Sequence, residues 1–359
     1  MGSQILEPQT MADILRGQTI HVPDLLGIFR GWPVMANAHY DDIASVVEGA
    51  FDRLCKSPTM REKYRRANYA RFVSLYYPHP NWDRIPTLAL YITWLFCWDD
   101  AIDQQGSKLS SNLLHAQSNR AHTLRVLEQV LNIAPFANSL VEYDEVDAEL
   151  ETIGEQLQKF YTFEQRRVYM AHMRTYIENC DKEQSYRLEG TLPDLESYKE
   201  MRHGTAAVWT LCALIEYGLG ENMPEHVRYM AEVQTLWSET SRAIWITNDI
   251  LSLKKEIPQS SSTTESIINA IPILVSECGV SPQQAVETLL RELVVSVATF
   301  EKAAAILLEA VGQERREWMQ TYCDACRCMV TGSIQFTYES TRYGLAGCLN
   351  EDGSLSMVL

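Results

Sequence analysis

Apolar residues at Val286, Leu289, Leu290, Leu293, Val297, Phe300, Ala304, Leu307 and Leu308 recur at i, i+3, i+4 and i+7, a spacing that places them on one face of an α-helix. The stretch carries its own start signal. Ser281 is an N-cap, Pro282 stands in the first turn and Gln284 completes a capping box, while Gly279 can close the preceding helix. Ser57-Pro58 and Pro193-Asp194 give similar starts. Strand-like alternation is nearly absent. Breaks near Pro33 and at 104–111, 134–139, 218–224 and 257–264 leave about ten helices, so the expected fold class is all-α. Residues 21–347 are read as one domain, with 1–20 and 348–359 as tails.

With 359 residues, 46% of them hydrophobic, the chain can bury a large core, which excludes a disordered protein. A formal net charge of −16 argues against general binding of nucleic acid or anionic membrane, so an anionic substrate must be met by local cations. The apolar run from Ile85 to Trp98 is shorter than a membrane span and reads as a buried helix; no lipid anchor is evident. Nine cysteines without a secretory leader point to a reducing, cytoplasmic compartment. Cys323, Cys326 and Cys328 lack the second ligand pair of a structural zinc site. The oligomeric expectation is a monomer or homodimer.

Two patterns carry the chemistry. Asn248, Ser252 and Glu256 follow one another every four residues, so they share a helix face about 6 Å apart along the axis. Amide, hydroxyl and carboxylate oxygens are hard donors suited to Mg²⁺, and neither pattern contains the His or Cys that zinc or redox iron would favour. Upstream, Asp99 and Asp103 again stand at i and i+4, directly after Tyr91, Trp94, Leu95, Phe96 and Trp98. Carboxylates closing an apolar helix must face a cavity or a counter-charge. Asp100, about 100° round the helix, is expected to make a hydrogen bond or ion pair.

In this order and at this spacing the two motifs resemble those of class I terpene synthases of the microbial type, and the likeness spans nearly the whole domain. The resemblance implies a single-domain helical bundle around a central apolar cavity. It assigns diphosphate sensing to Arg202, adds Lys255 and the C-terminal pair Arg342-Tyr343 as diphosphate-binding residues, and implies three Mg²⁺ ions on Asp99, Asp103, Asn248, Ser252 and Glu256. Phe72, Phe96 and Phe336 match aromatic positions of the family whose ring faces can stabilise carbocations. Thr205 and Ala206 fall where the family has a linker and a helix-break effector; acidic residues or Gly are frequent there in bacterial members, and this chain departs from that. Asn269 matches a downstream Asn of the family.

The implied activity is Mg²⁺-dependent ionisation of farnesyl diphosphate and cyclisation to a sesquiterpene, with a diterpene synthase using geranylgeranyl diphosphate as the alternative. A chain-elongating prenyltransferase should show a second aspartate-rich motif where Asn248, Ser252 and Glu256 stand. A protonation-initiated cyclase needs D-x-D-D, which is absent. A non-catalytic helical scaffold would tolerate Ala at Asn248 or Glu256 without consequence.

Overall fold

The computed structural model describes residues 10–103, 107–133, 141–258 and 266–359, with the side chain of Asp103 outside the described set. The architecture is all-α, as the periodicity predicts. Ser281 accepts from the Gln284 amide and Gln284 returns the bond, so the capping box starts a helix over Pro282–Ala310. Ser57 accepts from the Met60 amide ahead of Pro58–Ala67, and Asp194 accepts from the Ser197 amide ahead of Leu195–Thr205. Gly279, at φ 65°, closes Ala270–Cys278 in the left-handed conformation that a residue without Cβ adopts cheaply. The Ser/Thr-rich loop expected at 260–264 lies outside the described residues.

Helix Ala231–Glu256 packs against Pro282–Ala310 and Gly312–Glu339, and the last of these against Tyr69–Tyr76. Helix Ile85–Asp103 packs against Tyr40–Leu54 and Glu149–Phe160, and Phe163–Glu189 against Leu113–Val130 and Leu195–Thr205. Two glycines set close approaches. A Cβ on Gly332 would stand 2.9 Å from the Leu75 carbonyl oxygen, and one on Gly204 would stand 2.3 Å from Asn179 Nδ2. No helix among the described residues is long and apolar enough to cross a membrane.

The segments expected as tails need correction at both ends of the chain. Thr19–Val22 pairs antiparallel with Leu355–Val358, Thr19 opposite Val358 and Val22 opposite Leu355. Ile20, Val22, Leu355 and Met357 are each no more than 1% exposed. Burial of such side chains contributes about 1.5–3 kcal/mol apiece, enough to hold both ends on the bundle. Gln283 adds a hydrogen bond to the His21 amide at 2.8 Å. Strands of four residues are too short to show a period of their own, so the pattern was invisible until the ends met.

Candidate active site

The helix Ile85–Asp103 is buried nearly all round, with Tyr91, Ile92 and Trp94 at 0% exposure. Its acidic end opens on a cavity of about 1240 Å³. Asp99 lines that cavity and accepts a hydrogen bond from Tyr176 Oη at 2.9 Å. Asp100 also lines the cavity and is held by both terminal nitrogens of Arg342, at 3.1 and 2.8 Å. Burial works against the Asp100 carboxylate, yet Arg342 outweighs it and keeps the group below the usual carboxylate range. The ion pair expected of Asp100 is therefore present. Asp103 ends the helix, but its side chain lies outside the described set.

Helix Ala231–Glu256 brings the second motif to the same cavity, which Asn248 and Glu256 line together with Asp99 and Asp100, whereas Ser252 is not among the lining residues. Asn248 Oδ1 accepts from Arg202 Nη2 at 2.7 Å. Glu256 Oε2 accepts from Asn269 Nδ2 at 2.9 Å, and that amide group also bonds the Asp249 carbonyl while the Asn269 Oδ1 caps the following helix. Asp249 is 2% exposed and accepts from Arg202 Nε at 3.0 Å, from the Ala270 amide at 3.0 Å and from Tyr198 Oη. Burial pushes the Asp249 carboxyl up, and the three donors favour its charged form against that. Ser252 is 1% exposed, and its Oγ has no hydrogen-bond partner among the described residues.

The remaining expected residues converge on the same space. Arg202, Lys255, Arg342 and Tyr343 line it, with Lys255 Nζ 5.4 Å from the centre of the Tyr343 ring. Thr205 and Ala206 line it where the helix Leu195–Thr205 breaks; Thr205 Oγ1 lies 3.3 Å from Arg202 Nη1, and Ala207 takes a left-handed φ of 57°. Phe72, Phe96 and Phe336 form a continuous aromatic wall. Phe72 meets Phe96 edge-on at 4.9 Å and Phe336 edge-on at 5.1 Å, while Phe96 stacks on Tyr69 at 4.3 Å.

The donor set suits a hard divalent cation. Carboxylates from Asp99 and Glu256, the Asn248 amide oxygen and the Ser252 hydroxyl are all oxygens, without imidazole or thiol. A buried hydroxyl without a protein partner costs free energy unless something else satisfies it, and Ser252 Oγ is such an atom, four residues from both Asn248 and Glu256 on their helix, although Ser252 does not itself line the cavity.

Four contributors escaped the sequence reading. Asp249 anchors Arg202 and is itself held by the Tyr198 hydroxyl, Tyr176 holds Asp99, and Glu183 lines the cavity with its carboxyl pushed up by burial against the pull of Arg202. Tyr198 had a signal, one turn before Arg202 on the same helix. Tyr176 and Glu183 belong to no motif.

Residues 90–298, more than half of the chain, match the family model for terpene synthase family 2, C-terminal metal binding. The chain is 27% identical over 355 residues to the sesquiterpene cyclase hepA of Aspergillus oryzae, covering 96% of this chain and 95% of that one. It is 24% identical over 301 residues to germacrene A synthase of Nostoc punctiforme, covering 82% and 84%. A solved hedycaryol synthase superposes with a TM-score of 0.72 over 88% of this chain and 98% of that chain at 18% identity, a likeness of fold. A family match of this extent, on a helical fold shared with a solved synthase, makes the protein a member of terpene synthase family 2 and an enzyme of the lyase type.

Proposed function

We propose that the protein ionises farnesyl diphosphate in a Mg²⁺-dependent reaction, releases diphosphate and cyclises the allylic cation to a sesquiterpene hydrocarbon or alcohol. One observation carries this reading. Oxygen donors from two distant helices, the cations Arg202, Lys255 and Arg342, and the rings of Phe72, Phe96 and Phe336 line one cavity, with the Arg342 guanidinium 5.7 Å from the Phe96 ring centre. Such a cavity offers cations and oxygen donors to a diphosphate and aromatic faces to its hydrocarbon.

Asp99, Asp103, Asn248, Ser252 and Glu256 are the residues that would hold Mg²⁺, three ions with the diphosphate, and the bound metal would supply the charge that makes diphosphate a good leaving group. The chain's own groups do the rest. Asp249 fixes Arg202 through Nε, while the terminal nitrogens, held on Asn248 Oδ1 and Thr205 Oγ1, would exchange those neutral acceptors for a diphosphate oxygen. Arg342 contributes a second guanidinium, oriented by Asp100 and by Tyr69 Oη at 3.2 Å. Lys255 adds a point charge. Thr205 and Ala206, at the helix break beside Arg202, stand where a shift of the sensor would reach the substrate chain. Phe96, backed by Tyr69, and Phe72 offer ring faces to a passing cation and exclude water, which would quench it.

Similarity to hepA along nearly the full length supports the fifteen-carbon substrate over the twenty-carbon one. The test is incubation of purified protein with farnesyl diphosphate and, in parallel, geranylgeranyl diphosphate, with and without Mg²⁺, followed by gas chromatography and mass spectrometry. A cyclic C15 product that needs Mg²⁺ is expected. Product from geranylgeranyl diphosphate alone moves the reading to a diterpene synthase, and none from either refutes it.

A further inference from the structure

We infer that Lys63 is a further diphosphate-binding residue, placed at the cavity beside Arg342 by the helix Pro58–Ala67. The inference deepens the diphosphate reading of the cavity given above and rests on it. Lys63 belongs to neither motif. Its helix presents Thr59, Glu62, Lys63 and Arg66 to the cavity, the i, i+3, i+4 and i+7 positions of one face.

Contacts at the end of that helix fix it beside the second guanidinium. Ser340 Oγ donates to the Ala67 carbonyl and Thr341 Oγ1 to the Arg66 carbonyl, each at 3.0 Å, so the two residues that precede Arg342 satisfy carbonyls left open at the helix C-terminus. Asn68, at a left-handed φ of 59°, then turns the chain into the helix Tyr69–Tyr76, which carries Phe72. Lys63, Arg342 and the aromatic wall are thereby held on one side of the cavity.

Two cations meet one carboxylate there. Arg342 Nη1 and Nη2 hold the two oxygens of Asp100 at 3.1 and 2.8 Å. Lys63 Nζ stands 3.9 Å from Asp100 Oδ2, beyond hydrogen-bond distance, and Asp100 is its one acidic neighbour at ion-pair distance among the described residues. Arg66, the other cation of the same face, is matched by Glu62 at 2.9 Å. Lys63 therefore brings a positive charge to a carboxylate that Arg342 already satisfies. With its side chain 55% exposed, that pair contributes little to stability, so a structural role does not account for the placement. Recognition does. A chain with a net charge of −16 repels a diphosphate, and cations on the cavity wall are what lets one approach. An ammonium on a flexible stem can leave a distant acid for a phosphate oxygen without unpacking anything.

The test is calorimetric titration of the protein in MgCl₂ with inorganic pyrophosphate. Lys63→Gln should weaken binding by at least about tenfold, the worth of one hydrogen bond to a charged group. Lys63→Arg should keep the affinity within about threefold, since the charge is retained. Lys56→Gln removes a lysine just before the same helix, paired with Glu145 and outside the cavity, and should bind as the parent does. Without ligand, Lys63→Gln should melt within about 2 °C of the parent, as an exposed pair allows. Parent-like binding in Lys63→Gln, an equal loss in Lys56→Gln, no recovery in Lys63→Arg, or a larger drop in the ligand-free melting temperature would each overturn the inference. A parent that binds no pyrophosphate in MgCl₂ would instead refute the diphosphate reading itself, and the inference with it.

Discussion

Replacing Ser252 by Ala should move stability and activity in opposite directions. Ser252 Oγ is buried with no hydrogen-bond partner among the described residues, so its removal forfeits no hydrogen bond to them. Relief of an unsatisfied buried hydroxyl is worth about 1 kcal/mol, and Ala adds roughly 0.5 kcal/mol through helix propensity. For a chain of this size that sum corresponds to a melting temperature higher by about 2 °C in the presence of chelator. With Mg²⁺ and substrate the sign reverses. Loss of one oxygen ligand should raise the Mg²⁺ concentration for half-maximal kcat/KM by at least about tenfold, or roughly 1.4 kcal/mol. Calorimetry with chelator and kinetics across a Mg²⁺ series measure the two halves separately. A lower melting temperature without metal would show that Ser252 packs usefully on its own, and an unchanged Mg²⁺ requirement would remove it from the ligand set.

Asp249→Asn should destabilise the protein by about 3–5 kcal/mol, because the buried Arg202 loses its counter-charge while Tyr198 and Ala270 lose part of an acceptor; a melting temperature within a degree of the parent would contradict this. Gly204→Ala should cost about 1–3 kcal/mol in urea unfolding, since the new methyl would stand 2.3 Å from Asn179 Nδ2 and 2.8 Å from its Cβ, and a stability equal to the parent's would contradict that close approach. Burial pulls His172, between Trp209 and Trp237, down to about 4, and His203 likewise, by burial and then by Arg242. Both stay neutral when folded but protonate near 6.5 when unfolded, so their stability is full above about pH 6.5 and is lost as pH falls toward 4, by about 2 kcal/mol each after allowance for partial exposure. Melting temperatures across that window should fall less steeply in His172→Phe, and an identical slope would exclude His172 as a source.

Much of this site was legible because its chemistry is local. Ser281 with Gln284, or Asn248 with Ser252, announce themselves through a helical repeat a few residues long, and the cavity only has to bring such faces together. What stayed hidden depends on contacts between distant segments. Asp249 was readable as an acid next to Asn248, but its partners Tyr198, Arg202 and Ala270 come from two other helices. Tyr176 reaches Asp99 from a helix without a motif. The pairing of Thr19–Val22 with Leu355–Val358 joins the two ends of the chain, and a tail and an edge strand look alike in a four-residue window.

Arg202 links the two ligands of the site through one guanidinium. Its Nε is fixed on Asp249, while Nη2 is spent on Asn248 Oδ1, the oxygen that a metal ion would need. A turn about the fixed Nε uncovers that oxygen and, in the same motion, presents Nη2 to a diphosphate. Metal and diphosphate should therefore each raise the affinity of the other, and by the same factor, as linkage requires. Asn248→Ala separates the two halves. Without its acceptor Nη2 is released in advance, so inorganic pyrophosphate should bind the metal-free variant more tightly than the parent by about tenfold, the worth of one hydrogen bond to a charged group. Added Mg²⁺ should then improve pyrophosphate binding far less than it does in the parent. Calorimetric titration of both proteins with pyrophosphate, with and without Mg²⁺, gives the four affinities of the cycle; an Asn248→Ala protein that binds metal-free pyrophosphate no better than the parent would mean that the Arg202–Asn248 bond does not restrain the sensor.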